Sequence, residues 1–121
     1  MIRKGDIYYA DLDPGIGSEQ TGKRPVLIIQ NDVGNQYSPT TIAVMLTSRN
    51  TKKRLPTHVY IEPSNTGLTK NTIVMLEQIR TIDKKRLGIY IGHVESDDMK
   101  KVDRAAMYSL GIIKHKKERN K

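Results

Sequence analysis

The sequence predicts a mostly β protein, a small β-barrel or half-barrel with one α-helix at its C-terminal end. Two observations indicate this class. Short apolar or alternating runs recur along the chain between turn residues, and a single late segment repeats apolar residues at helical spacing. A chain of 121 residues without internal repeats or low-complexity linkers fits one domain. At that size, folding buries about two thirds of the surface that the unfolded chain exposes.

Six runs have the length and the residue types of β-strands. They are residues 6–11, 24–31, 41–48, 57–62, 72–81 and 88–94. Between them lie stretches rich in Pro, Gly, Asn, Asp and Ser, such as residues 13–15 and 31–35, which favour turns. Because turn residues rather than helices separate most runs, we expect antiparallel pairing. Residues 83–87 are expected to add a helical turn.

The C-terminal segment predicts an α-helix that begins after Ser96. The Ser96 hydroxyl can cap the first free amides, and Asp97 and Asp98 lie where the helix dipole favours negative charge. Apolar residues then recur at helical spacing. The positions of this face are Met99, Val102, Ala106, Ser109/Leu110 and Ile113. One face of this helix must therefore pack on the sheet or on a partner.

The core has to be built without Phe or Trp, from aliphatic side chains and some of the six Tyr. Burying one aliphatic side chain contributes about 1.5–3 kcal/mol, so a barrel of this size is feasible but thin. Dimerisation would help to stabilise it. Cysteine is absent, which excludes disulfides and thiolate metal sites.

Several classes of site and location are not expected from the sequence. No His/Asp spacing has ligand geometry, and a phosphate-cradling Gly-Lys-Ser/Thr loop and a dinucleotide fingerprint are both absent, so we expect no metal and no cofactor. The first residues contain no apolar leader, and no apolar run approaches the roughly 18 residues of a membrane span. We expect a cytoplasmic protein that does not contact membranes.

The chain carries a formal net charge of +8, which favours anionic partners such as nucleic acid, an acidic protein or a membrane surface. Much of this charge is concentrated in residues 114–121, which we separate as a basic tail from a domain of residues 1–113. The tail is either a solvated, frayed terminus or a long-range attractor for polyanions.

Residues 17–26 form a polar loop bounded by glycines, and it places Glu19 and Arg24 near the start of an apolar strand. RNA carries its own nucleophile, the 2′-hydroxyl, so a ribonuclease needs a base, an acid and positive charge at the phosphate. Arg24 suits the electrostatic role because its planar fork can bind two phosphate oxygens, and Glu19 is the candidate base. The alternatives are a salt bridge between the two residues, or surface positions without a role.

Four stretches of the chain carry a family resemblance. They are Gly17-Ser18-Glu19-Gln20 with Arg24-Pro25-Val26, Gln30-Asn31-Asp32, Leu55-Pro56-Thr57-His58, and Leu76-Glu77-Gln78-Ile79-Arg80-Thr81-Ile82-Asp83. Together they resemble the MazF/PemK/Kid toxins, endoribonucleases of type II toxin–antitoxin systems, in the branch often called EndoA. The similarity extends from Lys4 to about Ile113, and the basic tail departs from it.

The resemblance implies site residues by position. It pairs Arg24 with a hydroxyl residue after the strand that follows, here Thr47, so that the catalytic residues are Arg24, Thr47 and Glu19. The implied RNA-binding residues are Gln20, Asn31, His58, Glu77, Gln78 and Arg80. Amide and guanidinium groups suit the edges of unpaired bases, and arginine can also stack on them. The alternatives are a packed or solvent-facing strand histidine at His58 and an internal Glu–Arg pair in the 77–80 segment.

The resemblance also implies the rest of the functional description. It implies a PemK-like, SH3-like small β-barrel, a homodimer with RNA along its interface, and metal-independent cleavage of single-stranded mRNA to a 2′,3′-cyclic phosphate and a 5′-hydroxyl. The recognition sequence would contain ACA, as in UACAU, and a MazE-like antitoxin would lay an acidic segment across the groove. The alternatives are a protein-binding toxin of the same fold, of the gyrase-inhibitor type, and a non-catalytic nucleic-acid-binding module.

Overall fold

The structure is a computed structural model that describes residues 1–17, 19, 22–48, 54–64 and 66–116. Six strands, two α-helices and one 3-10 turn follow one another along the chain. The elements are β1 (Asp6–Asp11), β2 (Lys23–Ile28), α1 (Asp32–Tyr37), β3 (Thr40–Thr47), β4 (His58–Ile61), β5 (Thr72–Asp83), the 3-10 turn (Lys84–Arg86), β6 (Leu87–His93) and α2 (Ser96–Ser109). The predicted class, mostly β with a C-terminal helix, is confirmed.

All six strands form one antiparallel sheet in the order β4-β5-β3-β2-β1-β6. The sheet is open, because its edge strands β4 and β6 do not pair with each other in the described part of the chain. The strands therefore form the expected single sheet, but the sheet does not close into a barrel. None of the helices that the structure describes is long and apolar enough to cross a membrane.

Both faces of the sheet carry a buried apolar cluster. Side chains alternate along a strand, so in β3 the residues Val44 and Leu46 join one cluster while Ala43 and Met45 join the other. The first cluster packs under α2 through Met99, Val102 and Ala105, together with residues of β1, β2, β4 and β5. The predicted apolar face packs on the sheet through Met99 and Val102, with Ala106 beside them. The prediction was wrong for the end of that face, because the helix ends at Ser109 and Leu110 is 65% exposed.

The ends of α2 differ from the prediction. Ser96 is the first helical residue, the capping position belongs to Glu95, and no side-chain cap hydrogen bond forms there, so the predicted Ser96 cap is wrong by one residue. The helix ends at Ser109, whose hydroxyl donates to the Leu76 carbonyl at 2.6 Å. Gly111 then adopts a φ of 71°, the left-handed conformation that commonly ends helices.

A short helix replaces the turn predicted at 31–35. Asn31 caps α1, because its side-chain oxygen accepts a hydrogen bond from the Gly34 amide at 2.8 Å. Strand β2 consequently ends at Ile28, earlier than the predicted 24–31 run. The first helical residue, Asp32, accepts from the Lys4 amide at 2.7 Å, and this hydrogen bond lowers the pKa of the Asp32 carboxyl. The pair ties the N-terminal segment to α1.

A bulge interrupts the long strand β5 where it crosses β3. Val44 lies opposite Ile79, but the next residue, Met45, lies opposite Met75. The residues between them, Leu76 to Gln78, are thus in excess on β5, and the strand bends there. The bulge decides where the two polar residues of this stretch, Glu77 and Gln78, can point.

The helical turn expected at 83–87 is present as the 3-10 turn.

Candidate functional site

Arg24 and Thr47 line the same cavity, of about 430 Å³. Strands β2 and β3 are antiparallel, with Val26 opposite Met45. Continuing this register by two residues places Arg24, at the beginning of β2, opposite Thr47, at the end of β3. The family resemblance implied this pair, and the antiparallel pairing explains how residues 23 positions apart come together.

The cavity is positively charged. Its lining includes three cationic side chains, Lys23, Arg24 and Lys70, and no Asp or Glu among the described residues. Hydroxyl groups supply hydrogen-bond donors and acceptors beside them. These come from Thr47, Ser48, Thr69 and Thr72. Such a lining suits an anion with several oxygen atoms, because charge and donors converge on one volume.

The guanidinium of Arg24 is available to a ligand. The residue is half-buried, and within the described ranges it forms neither an ion pair nor a side-chain hydrogen bond. The alternative of a Glu19–Arg24 salt bridge is therefore wrong for this structure. A partly desolvated, unpaired arginine interacts more strongly with an incoming anion than a fully solvated one does.

Glu19 lies apart from Arg24, in a smaller cavity of about 130 Å³. Its exposed side chain lines this cavity together with Met45, Gln78 and Arg80. Met45 and Thr47 are two residues apart on β3 and so share one face of that strand, which places the two cavities next to each other. Gln20 lies outside the described residues.

The bulge on β5 sends Glu77 toward β4. One carboxylate oxygen of Glu77 accepts from the Thr57 hydroxyl at 3.0 Å, and the other lies 2.9 Å from Nε2 of His58. The His58 side chain is only 6% exposed, and its Nδ1 atom has no hydrogen-bond partner. His58 is thus a packed strand histidine beside Glu77, as the alternative interpretation had it.

The other predicted contact residues have structural partners. Arg80 donates from Nη1 to the Leu12 carbonyl at 3.1 Å, and it forms no ion pair with Glu77 among the described residues, so the alternative of an internal Glu–Arg pair is wrong. The side-chain oxygen of Asn31 is committed to capping α1. Gln78 and Arg80 face the Glu19 cavity, whereas Glu77 faces His58.

Sequence analysis missed most of the cavity lining, including its other two cations and its aromatic residue. Lys23 adjoins Arg24 in the sequence and could have been found from that adjacency. Tyr9 reaches the cavity because β1 pairs with β2, with Tyr9 opposite Pro25, and Lys70 reaches it from the segment before β5. No local signal marks either one. In the part of the chain that the structure describes, no three His, Cys, Asp or Glu side chains are placed to hold a metal ion together.

Solved structures share this fold. The chain is similar to an endoribonuclease from a mycobacterial species solved in complex with its cognate antitoxin, at 31% identity and a TM-score of 0.77, over 95% of this chain and 100% of that one. It is also similar to MazF from Deinococcus radiodurans, at 24% identity and a TM-score of 0.77, over 91% of this chain and 96% of that one. The second likeness is one of fold alone.

The sequence comparisons are more specific. The chain is 50% identical over 113 residues to Endoribonuclease EndoA of Bacillus subtilis (strain 168), which covers 93% of this chain and 97% of that relative. Residues 3–110 match the PemK-like, MazF-like toxins of type II toxin–antitoxin systems, and the chain belongs to that family.

Proposed function

We propose that this protein is the endoribonuclease toxin of a type II toxin–antitoxin system, and that it cleaves single-stranded mRNA at a short ACA-containing sequence similar to UACAU. The observation that carries the proposal is the unpaired Arg24 beside Thr47 in a cavity lined by cations and hydroxyls. Membership of the toxin family and similarity to EndoA support it.

In the proposed reaction the 2′-hydroxyl of the RNA attacks the adjacent phosphorus, the bond to the 5′-oxygen breaks, and the leaving 5′-oxygen takes up a proton from water. The products are a 2′,3′-cyclic phosphate and a 5′-hydroxyl. Arg24 stabilises the negative charge that develops on the phosphoryl oxygens, and the Thr47 hydroxyl bonds one of these oxygens or the 2′-oxygen. Glu19 takes the 2′-hydroxyl proton, which requires the RNA to extend from the Arg24 cavity to the neighbouring one.

The remaining site residues have proposed roles in RNA binding. Gln78 and Arg80 line the Glu19 cavity and contact unpaired bases, with Gln20 in the same loop as Glu19. Glu77 accepts hydrogen bonds from a base edge, and His58 contributes by holding that carboxylate. Asn31, whose side-chain oxygen caps α1, is a further proposed RNA-binding residue.

The proposal extends to partners and location. We propose a cytoplasmic homodimer that is neutralised by a MazE-like antitoxin, whose acidic segment would compete with RNA for the cation-lined cavity. Sedimentation of the purified protein would measure the oligomeric state. The gyrase-inhibitor type and the non-catalytic nucleic-acid-binding module remain as outcomes of the following experiment.

The test is cleavage of a single-stranded transcript in EDTA, followed by mapping of both new ends. We expect discrete cuts without added metal, and loss of about 100-fold or more in rate for Arg24→Ala and for Thr47→Val. Arg3→Ala, which removes an exposed arginine outside the cavity, is the matched control and should cleave normally. Binding without cleavage would favour the non-catalytic module, and neither binding nor cleavage would favour the gyrase-inhibitor type. Full activity of Arg24→Ala would exclude the proposed mechanism.

A further inference from the structure

Two lysines enter the Arg24 cavity from opposite elements. Lys23 is the first residue of β2, and Lys70 lies just before β5, where the Thr72 hydroxyl donates to the Lys70 carbonyl at 3.0 Å. Both residues are exposed, and neither forms an ion pair in the described ranges. The backbone beneath each lysine is thus held in place while its ammonium group is available.

Two other lysines of the described residues are paired with carboxylates. Lys4 pairs with Asp103 at 2.9 Å, and Lys101 approaches Asp98 at 3.7 Å. Lys23 has a candidate partner in Asp11, which lies directly opposite on β1, but the Asp11 carboxylate instead accepts from the Asp13 amide at 3.1 Å. The described lining of the cavity therefore holds three positive charges and no carboxylate, with Asp11 next to Lys23 but not ion-paired with it.

The scissile phosphate carries a single negative charge, which Arg24 alone can neutralise. The two further charges are matched if the phosphates on each side of the scissile one also lie against the cavity. An aromatic face is present as well, because Tyr9 lines the same cavity and is 47% exposed. A nucleotide base can stack on such a ring, which favours RNA over an acidic peptide as the occupant.

We propose that Lys23 and Lys70 bind the phosphates that flank the scissile phosphate. The Arg24 cavity then binds three successive phosphates of a single strand. This inference rests on the proposed ribonuclease function. The two lysines are substrate-binding residues that hold the strand in line, while Arg24 acts on the reacting phosphate. Their removal should weaken binding and raise KM, with little change in kcat.

The experiment measures binding of a short single-stranded RNA that carries the cleavage sequence with a 2′-deoxy sugar at the scissile position. Fluorescence anisotropy over a series of salt concentrations yields the slope of log binding constant against log salt. We expect Lys23→Gln and Lys70→Gln each to reduce this slope by about 0.7, and the double variant by about 1.4. Lys23→Arg and Lys70→Arg should retain it.

The control is Lys100→Gln on α2, an exposed lysine outside every cavity described above. It should leave the slope unchanged, and an equal reduction there would overturn the inference, as would unchanged slopes in both cavity variants. Cavity variants that keep the RNA slope but weaken binding of a glutamate decamer would assign the lysines to an acidic protein and also overturn it. Failure of the wild type to cleave the all-ribose RNA would instead refute the ribonuclease function.

Discussion

At the scale of single residues, the surroundings of Arg24 and Glu77 define what each can do. Arg24 is half-buried in a cavity whose described lining contains no carboxylate, so its charge is directed at whatever enters. Glu77 is held from both sides, by Thr57 and by the buried ring of His58. The carboxylate is 34% exposed, so it is oriented by the protein while still accessible to a ligand.

The first prediction concerns His58. We expect His58→Ala to lower the free energy of unfolding by about 2 kcal/mol or more, because it empties a buried volume and removes the hydrogen bond to Glu77. Glu77→Ala removes the same bond from a partly exposed group and should cost about 1 kcal/mol. Urea unfolding of both variants measures the difference. Equal stability of His58→Ala and wild type would show that the ring does not support this part of the sheet.

At the scale of elements, the connection before β5 is anchored on β6. A Cβ atom added at Gly92 would lie 1.7 Å from the Thr66 carbonyl oxygen, and one added at Gly67 would lie 2.1 Å from the Ile91 carbonyl oxygen. Backbone thus approaches backbone more closely than any side chain would allow. The contact positions the segment that carries Leu68, Thr69 and Lys70 to the cavity.

The second prediction tests this contact with two glycines of the same strand. Gly92→Ala should lower the free energy of unfolding by about 3 kcal/mol or more, because neither backbone segment can move aside cheaply. Gly88→Ala is the matched control, since its added Cβ would lie 3.5 Å from the nearest atom, an ordinary contact. Thermal unfolding of both variants compares them. Similar melting temperatures would mean that the connection can shift without cost.

The third prediction concerns the N-terminus of α1 and its dependence on pH. The hydrogen bond from the Lys4 amide lowers the pKa of Asp32 below its ordinary value of 3.8. Its stabilising contribution is therefore complete above pH 3.8 and is lost as the pH falls below that value. Asp32→Asn should unfold at lower urea concentration near neutral pH and lose less stability on acidification. Parallel pH profiles for the variant and the wild type would contradict this.

At the scale of the whole molecule, the net charge of +8 complements a polyanionic substrate. Part of that charge lies in the cation-lined cavity, and a larger share lies in residues 114–121. Charges in the cavity act over short distances on bound phosphates, whereas charges elsewhere act on the rate of encounter and are screened by salt. The two contributions can be separated by their dependence on ionic strength.

The fourth prediction removes the tail. Truncation after residue 113 should reduce kcat/KM for RNA cleavage at low salt through slower association, leave kcat unchanged, and have no effect at high salt, where long-range attraction is screened. Stopped-flow association with fluorescent RNA at two ionic strengths provides the measurement. Identical association rates for the truncated and full chains at low salt would favour a solvated terminus without a role.

The sequence alone determined the fold class, most strand positions and the pairing of Arg24 with Thr47, because apolar periodicity and family motifs are local signals. It failed at α1, where a Gly within a six-residue helix resembles a turn, and at Ser96, where capping positions differ by one residue. Helix and strand boundaries depend on packing and hydrogen bonds that local sequence does not specify.

Only the tertiary structure decided the surroundings of each site residue. Strand pairing brought Tyr9 beside Pro25, the β5 bulge turned Glu77 toward His58, and the glycine contact with β6 positioned the segment that carries Lys70 to the cavity. These are relations between residues far apart in the chain, and they arise from how the strands register and pack. The sequence therefore determined which groups are available for chemistry, and the long-range contacts decided which of them meet.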